Sequence, residues 1–222
     1  YTVILAGSTL FSNIVLFSFL RKYIKLVRVS KRDIVKHLKP CLVLFLPVIA
    51  VSIYKIMDKI MLGSMSTVKE VGYYENAEKI TQVPISIITA LGTVMLPRVS
   101  NMLSNNQEEQ VKNTILKTMP FIMFLTFPMI LGLILISKEF SIIFFGNGFE
   151  KSGYLIQLLS ITIVFLAWGN VIRTQYLIPK EMDKQYIISA FLGALVNFIL
   201  NCIFIPIYQS VGACIGTIAA EF

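Results

Sequence analysis

FIMFLTFPMILGLILI (Phe121 to Ile136) and LIQLLSITIVFLAW (Leu155 to Trp168) decide the fold class. Strands of a membrane barrel alternate lipid-facing and lumen-facing residues, but these two runs are apolar on every side. Only a helix, which satisfies its own backbone hydrogen bonds, can carry such a run through lipid. The pattern therefore predicts an all-α integral membrane protein, a polytopic helical bundle.

Composition supports that reading along the whole chain. Of 222 residues, 56% are hydrophobic and 14% charged, and the mean hydropathy is +0.76. A soluble domain carries about a quarter charged residues. Measured against about 20 apolar residues per span, the chain yields six spans and the start of a seventh. They run from 1 to 20, 40 to about 64, 80 to 97, 118 to 137, 154 to about 177 and 186 to 208, with the seventh beginning at 211. The chain opens inside one apolar run and stops inside another, which reads as a piece of a longer protein. Three regions follow: the last helix of a preceding lobe (1–20), a basic connecting loop (21–39) and a C-terminal transmembrane lobe (40–222).

Charge placement gives an orientation. The net charge is +8, from 20 basic and 12 acidic residues. Fourteen of the basic residues fall on the face holding the 21–39 loop, against Lys69, Lys79, Lys138 and Lys151 on the other, with Lys55 and Lys59 inside the second span. That asymmetry predicts a cytoplasmic 21–39 loop. Its apolar residues among the charges suit either a helix lying on anionic head groups or a plain positive-inside connector. His37, the single histidine, reads as a surface residue there.

No nucleophile and base pair, no clustered histidine or cysteine and no phosphate-cradling glycine loop is present. The sequence thus predicts a transporter, with no metal or cofactor, and Cys41, Cys202 and Cys214 as small buried hydrophobes. Prolines and glycines inside the apolar runs, among them Pro84, Gly92, Pro128, Gly193 and Gly212, fit close helix packing and kinks.

Charge near the membrane marks the candidate site. With the second helix entering at Pro40 and rising about 1.5 Å per residue, Lys55 lies roughly 23 Å and Asp58 roughly 27 Å in, near the far edge of the hydrocarbon. Two readings stand: Lys55 and Lys59 snorkel with Asp58 pairing to one of them, or the group handles substrate or an ion. Glu75 and Lys79, four apart, are placed for an ion pair on one helix face, as Tyr74 and Glu78 share a face. Asn197 and Asn201 are also four apart and should face neighbouring helices or a cavity, helix-to-helix hydrogen bonding being the favoured reading. Arg173, Gln175 and Lys180 read as anchors or as the inner mouth of a cavity.

GYYENAEKITQVPISIITALGTVMLPRVS (Gly72 to Ser100) and LVNFILNCIFIPIYQSVGACIGTIAAE (Leu195 to Glu221) resemble the Wzx-like polysaccharide flippases of the MOP exporter superfamily. So do MDKIMLG (Met57 to Gly63), FFGNGFEKS (Phe144 to Ser152) and RTQYLIPKEMDKQY (Arg173 to Tyr186). The resemblance implies a MATE-like lobe, part of a protein with two such lobes around a central cavity. It implies a flippase that moves undecaprenyl-pyrophosphate-linked oligosaccharide repeat units across the bacterial cytoplasmic membrane by alternating access, for capsule, exopolysaccharide or O-antigen synthesis. Coupling to H+ or Na+, membrane lipids as neighbours, and a polymerase and chain-length regulator as pathway partners come with it.

By position, Lys79 stands where related flippases have an arginine, with Glu78 at the acidic position before it. Asp58 matches an acidic residue that belongs to an ion site in some relatives, and Gln209 occupies a turn where relatives often have glycine. The implied cavity candidates are Lys55, Lys59, Lys79, Arg173, Asn197 and Asn201, and the ion-coupling candidates are Asp58 and Glu78. A multidrug exporter of the MATE type is the competing expectation, disfavoured by the basic bias of these candidates. A membrane polymerase or ligase is a third, disfavoured by the short outer loops.

Overall fold

A computed structural model describes residues 2–20, 30, 35–36, 38 and 56–222. The chain divides into two units, Tyr1–Phe45 and Leu46–Phe222. In the first, α1 (Thr2–Leu20) is an apolar helix whose large side chains, such as Phe11 and Phe19, are exposed.

Every regular element described in the second unit is helical. Helical residues 56–65 form α2, the described end of the second predicted span. Then follow α3 (Val68–Ser104), α4 (Glu108–Phe145), α5 (Glu150–Ser160), α6 (Thr162–Ile172), a π-helical turn (Arg173–Leu177), α7 (Asp183–Tyr208) and α8 (Ser210–Glu221). Among the described residues, α3, α4 and α7 are long and apolar enough to cross a membrane, and α5 with α6 and the π-helical turn are together long and apolar enough for one more bent span. The protein is a multi-pass helical membrane protein. Most of the second predicted span, most of the 21–39 loop including His37, and Cys41 lie outside the described residues.

α4 shows why its sequence suits lipid. Its buried positions include Thr118, Ile122, Thr126, Ile130, Ser137 and Ser141, a stripe at helical spacing that mixes hydroxylated residues with isoleucine. Phe124, Leu131 and Leu135 point outward, at 78%, 58% and 75% exposure. With lipid outside, greasy bulk faces the solvent and small residues face the neighbours. The buried hydroxyls satisfy themselves locally: Thr118 donates to the Thr114 carbonyl at 2.8 Å and Thr126 to that of Ile122 at 2.7 Å.

Two corrections concern helix limits. The polar stretch with Glu75, Glu78 and Lys79 is the first part of α3 itself. That helix starts at the Thr67 N-cap, whose hydroxyl accepts from the Glu70 amide at 3.4 Å. The fifth span, expected as one helix, is instead broken at Ile161 by a bend of 40°. Ser160 donates to the Ile156 and Gln157 carbonyls, and Thr162 donates to the Leu159 carbonyl at 2.6 Å. Such hydroxyl back-bonding competes with the helix ladder and bends it. The halves join different cores. α5 gives Leu155, Ile156 and Leu159 to a cluster with α2, the start of α3 and the α7–α8 hairpin, while α6 gives Ile163, Ala167 and Val171 to a cluster with α4 and the later part of α3.

The α7–α8 hairpin closes on glycine. A Cβ at Gly212 would overlap the Phe204 carbonyl and one at Gly216 would overlap Asn201 Oδ1, while at Gly193 it would meet the Ala220 carbonyl at 3.0 Å. This seam lets the backbones approach, as small residues do in membrane helices. Cys214 is buried in it as expected, but Cys202 is exposed on α7, against the expectation of a buried thiol.

Candidate functional site

Asp58 lies at the meeting point of α2, α3, α7 and α8, only 5% exposed. Asn201 Nδ2, from α7, donates to its Oδ1 at 2.6 Å. The Tyr74 hydroxyl, from α3, donates to Oδ2 at 3.0 Å, and the Thr217 hydroxyl, from α8, reaches the same oxygen at 3.1 Å. Asn201 Nδ2 also donates to Asn197 Oδ1 at 2.9 Å, so both asparagines form one relay on the buried face of α7. Their spacing of four is what aligns them.

Hydrogens are short in this network. The Tyr74 and Thr217 hydroxyls are 2.9 Å apart, and Thr217 also contacts the Ala213 carbonyl at 2.9 Å. Each hydroxyl has one hydrogen to give, so two hydrogens serve Asp58 Oδ2, Ala213 and each other. Asn201 Oδ1 and Asn197 Nδ2 are buried without a partner among the described residues. A buried carboxyl group held by hydroxyls from two helices and an amide from a third can hold a proton or contribute to an oxygen shell for a small hard cation. No cluster of three or more His, Cys, Asp or Glu residues suited to a transition metal occurs among the described residues.

The pairing of Asp58 with a lysine, one of the two readings of the sequence, is replaced by these neutral donors among the described residues. Lys59 turns instead to Glu78 of α3, at 2.7 Å and half-buried. Glu75 and Lys79 form the expected i,i+4 pair at 2.9 Å, with the Lys79 side chain 64% exposed. Asp58, Asn197 and Asn201 are thus brought together, Lys59 and Glu78 are paired with each other, and Lys79 stands on the surface. Arg173 lies apart at the π-helical turn, over the Tyr186 ring at 5.1 Å. Gln175, beside it, is buried with its Oε1 unpartnered among the described residues. Lys180 lies over the Tyr176 ring and 3.6 Å from Glu108. Lys55 lies outside the described residues.

A second polar hub was missed in the sequence. Glu70, 7% exposed, accepts from Lys151 Nζ through both carboxylate oxygens at 2.7 Å. The Ser210 hydroxyl donates to its Oε2 at 2.5 Å and the Ser210 amide at 3.3 Å. Glu70 therefore ties the beginnings of α3, α5 and α8 together, with its charge at the α8 N-terminus. Lys151 also donates to Gln209 Oε1 at 3.3 Å. Gln209 has φ +56° and ψ −128°, backbone space that favours glycine, which accounts for a glycine-prone turn at this position. The Thr67-x-x-Glu70 spacing was the available signal, but a capping box predicts a local partner, and Glu70 uses distant ones.

The fold and this buried polar junction define the class, a polytopic helical membrane protein. Compared with solved structures, the chain is similar to the lipid II flippase MurJ in its inward closed conformation, with a TM-score of 0.75 and 20% identity over 94% of this chain and 45% of that one. The family model described as polysaccharide biosynthesis protein matches residues 4–153, and the chain belongs to that family.

Among curated relatives, a probable low-salt glycan biosynthesis flippase of Haloferax volcanii is 27% identical over 74% of this chain and 34% of its own length. The lipid II flippase MurJ of Bacillus subtilis is 24% identical over 63% of this chain and 26% of its own. The chain thus spans about a third or less of these two relatives. The resemblance to Wzx-like flippases is borne out by the family match and by these flippase relatives.

Proposed function

We propose that the protein containing this chain is a flippase that moves undecaprenyl-pyrophosphate-linked oligosaccharides across a bacterial cytoplasmic membrane by alternating access. The observation that carries the reading is the Asp58 junction, a carboxyl group buried in the membrane part and held by side chains from α3, α7 and α8. An ionisable residue kept there is costly in lipid and marks ion or proton handling in transporters. Loading Asp58 with H+ or Na+ changes what Tyr74, Asn201 and Thr217 can donate to, and so couples the ion to the packing of these helices.

Flippase relatives and the family match support the cargo class. The charged groups Lys59, Glu78 and Lys79 stand nearby on α2 and α3, and a cation in this position suits a pyrophosphate. Here Lys59, Lys79 and Arg173 are assigned to substrate, Asp58 with Asn197 and Asn201 to the coupling ion, and the 21–39 loop to the cytoplasmic side.

The test is complementation of polysaccharide export in a strain lacking the full-length protein. Asp58→Asn, close in shape, should give a folded protein at normal level with export reduced at least tenfold. Export unchanged in Asp58→Asn would overturn the coupling role. Normal polysaccharide export in the deletion strain, with raised drug sensitivity, would replace the flippase reading with a MATE-type exporter.

A further inference from the structure

The α3–α4 hairpin projects past both apolar runs. On α3 the run ends at Pro97 and Arg98 is the first charge beyond it; on α4 Lys117 is the last charge before the run begins at Thr118. Both cations therefore stand at one level, the level of lipid phosphates at the membrane surface. Between the two helices at this level is a cleft of about 480 Å³, with Arg98 and Lys117 in its lining.

We propose that this cleft binds the phosphate of an anionic membrane lipid. Neither cation has an ion-pair partner among the described residues. The carboxylates of the hairpin, Glu108 and Glu109, lie outside the lining, and Glu108 is turned toward Lys180. Arg98 offers a planar fork for two phosphate oxygens and Lys117 a point charge for a third. Gln110 and Asn113 line the same opening and bring amide N–H donors. Thr114 donates to the Gln110 carbonyl at 2.8 Å, leaving its oxygen as an acceptor for a glycerol or sugar hydroxyl.

The rest of the lining selects a lipid over a soluble anion. Leu91, Met95, Met102 and Phe121 supply apolar walls, and Leu91 and Phe121 lie on the membrane side of the two cations in sequence. A phosphate held by Arg98 and Lys117 would thus direct its chain along an apolar surface, and the volume falls in the ordinary range for a small-molecule site. Two sources share this chemistry, a common anionic phospholipid and a polyprenyl phosphate. The inference is independent of the transport reading, since it rests on the hairpin alone.

The experiment uses the purified full-length protein in neutral detergent, with lipid adducts counted by native mass spectrometry. Phosphatidylglycerol, undecaprenyl phosphate, phosphatidylcholine and inorganic phosphate are the four probes. At least one of the two anionic lipids should bind at a saturable site, more tightly than phosphatidylcholine, and their relative affinities identify the source. Arg98→Gln with Lys117→Gln should weaken that binding roughly tenfold or more. Arg98→Lys with Lys117→Arg should keep it within about threefold. Lys112→Gln, exposed on the same hairpin but outside the lining, should leave it unchanged.

Equal binding of phosphatidylcholine, full retention in the double glutamine variant, or complete displacement by inorganic phosphate would overturn the proposal. A photoactivatable phosphatidylglycerol or undecaprenyl phosphate on the unaltered protein gives a check free of folding effects. Labelling of peptides holding Met95, Met102 or Phe121 supports the site, and labelling confined to other helices refutes it.

Discussion

Around Asp58 and Glu70, each carboxylate is held by partners from at least two other helices, whereas Arg98 and Lys117 at the α3–α4 hairpin border an open cleft. The two regions place charge for different ends. A buried charge is tolerated only when its surroundings are fixed, so it organises helix packing and removing it is expensive. An unpaired cation at the membrane surface costs little and organises nothing within the fold, which leaves it free to bind. Stability measurements should therefore respond strongly in one region and hardly at all in the other.

The sharpest test is Asp58→Ala. It leaves Tyr74, Asn201 and Thr217 facing a cavity without their acceptor, and a loss of about 3–5 kcal/mol is expected. Thermal unfolding of the purified full-length protein should show it, and a midpoint equal to that of the unaltered protein would erase the contrast. Next comes Glu70→Ala, which strands Ser210 and half-buried Lys151 and should cost about 2–3 kcal/mol in the same assay.

Gly216→Ala should come close behind. The added methyl meets the Asn201 amide oxygen, so about 1–3 kcal/mol is expected, together with impaired transport, because Asn201 is the donor to Asp58. Gln209→Gly has the opposite sign. It relieves a positive φ at the expense of one long hydrogen bond to Lys151, and a gain of up to about 1 kcal/mol should appear as a raised unfolding midpoint.

The smallest effects belong to exposed charge. Removing the Glu75–Lys79 pair, or both Arg98 and Lys117, should move stability by less than about 0.5 kcal/mol. A large fall in either case would show that the surface charges are structural and would break the comparison.

The apolar helices were legible because lipid imposes a length and an all-round apolar surface, and both are written in consecutive residues. Glu75 with Lys79 and Asn197 with Asn201 were legible for a similar reason, since each pair lies within one helix turn. The Asp58 junction joins positions 143 and 159 residues apart, and no local spacing encodes such a meeting. Depth arithmetic for α2 treated that helix as if alone in lipid, so one of its two readings paired Asp58 with a lysine, whereas among the described residues its partners come from other helices. The break at Ile161 was hidden because hydropathy runs unbroken through it, while the cause is the hydrogen bonding of Ser160 and Thr162. Glu70 was not singled out, because its partners Lys151 and Ser210 come from distant turns that no local spacing names.

The bend at Ile161 has a mechanical consequence. A kink with both arms free would act as a hinge, but here each arm is seated in its own core, α5 with the α7–α8 hairpin and α6 with α4. Straightening it would pull one arm out of its seat. The junction works as a bracket, and α5 is also fastened to α4 directly, where Gln157 donates to the Ile134 carbonyl at 2.9 Å.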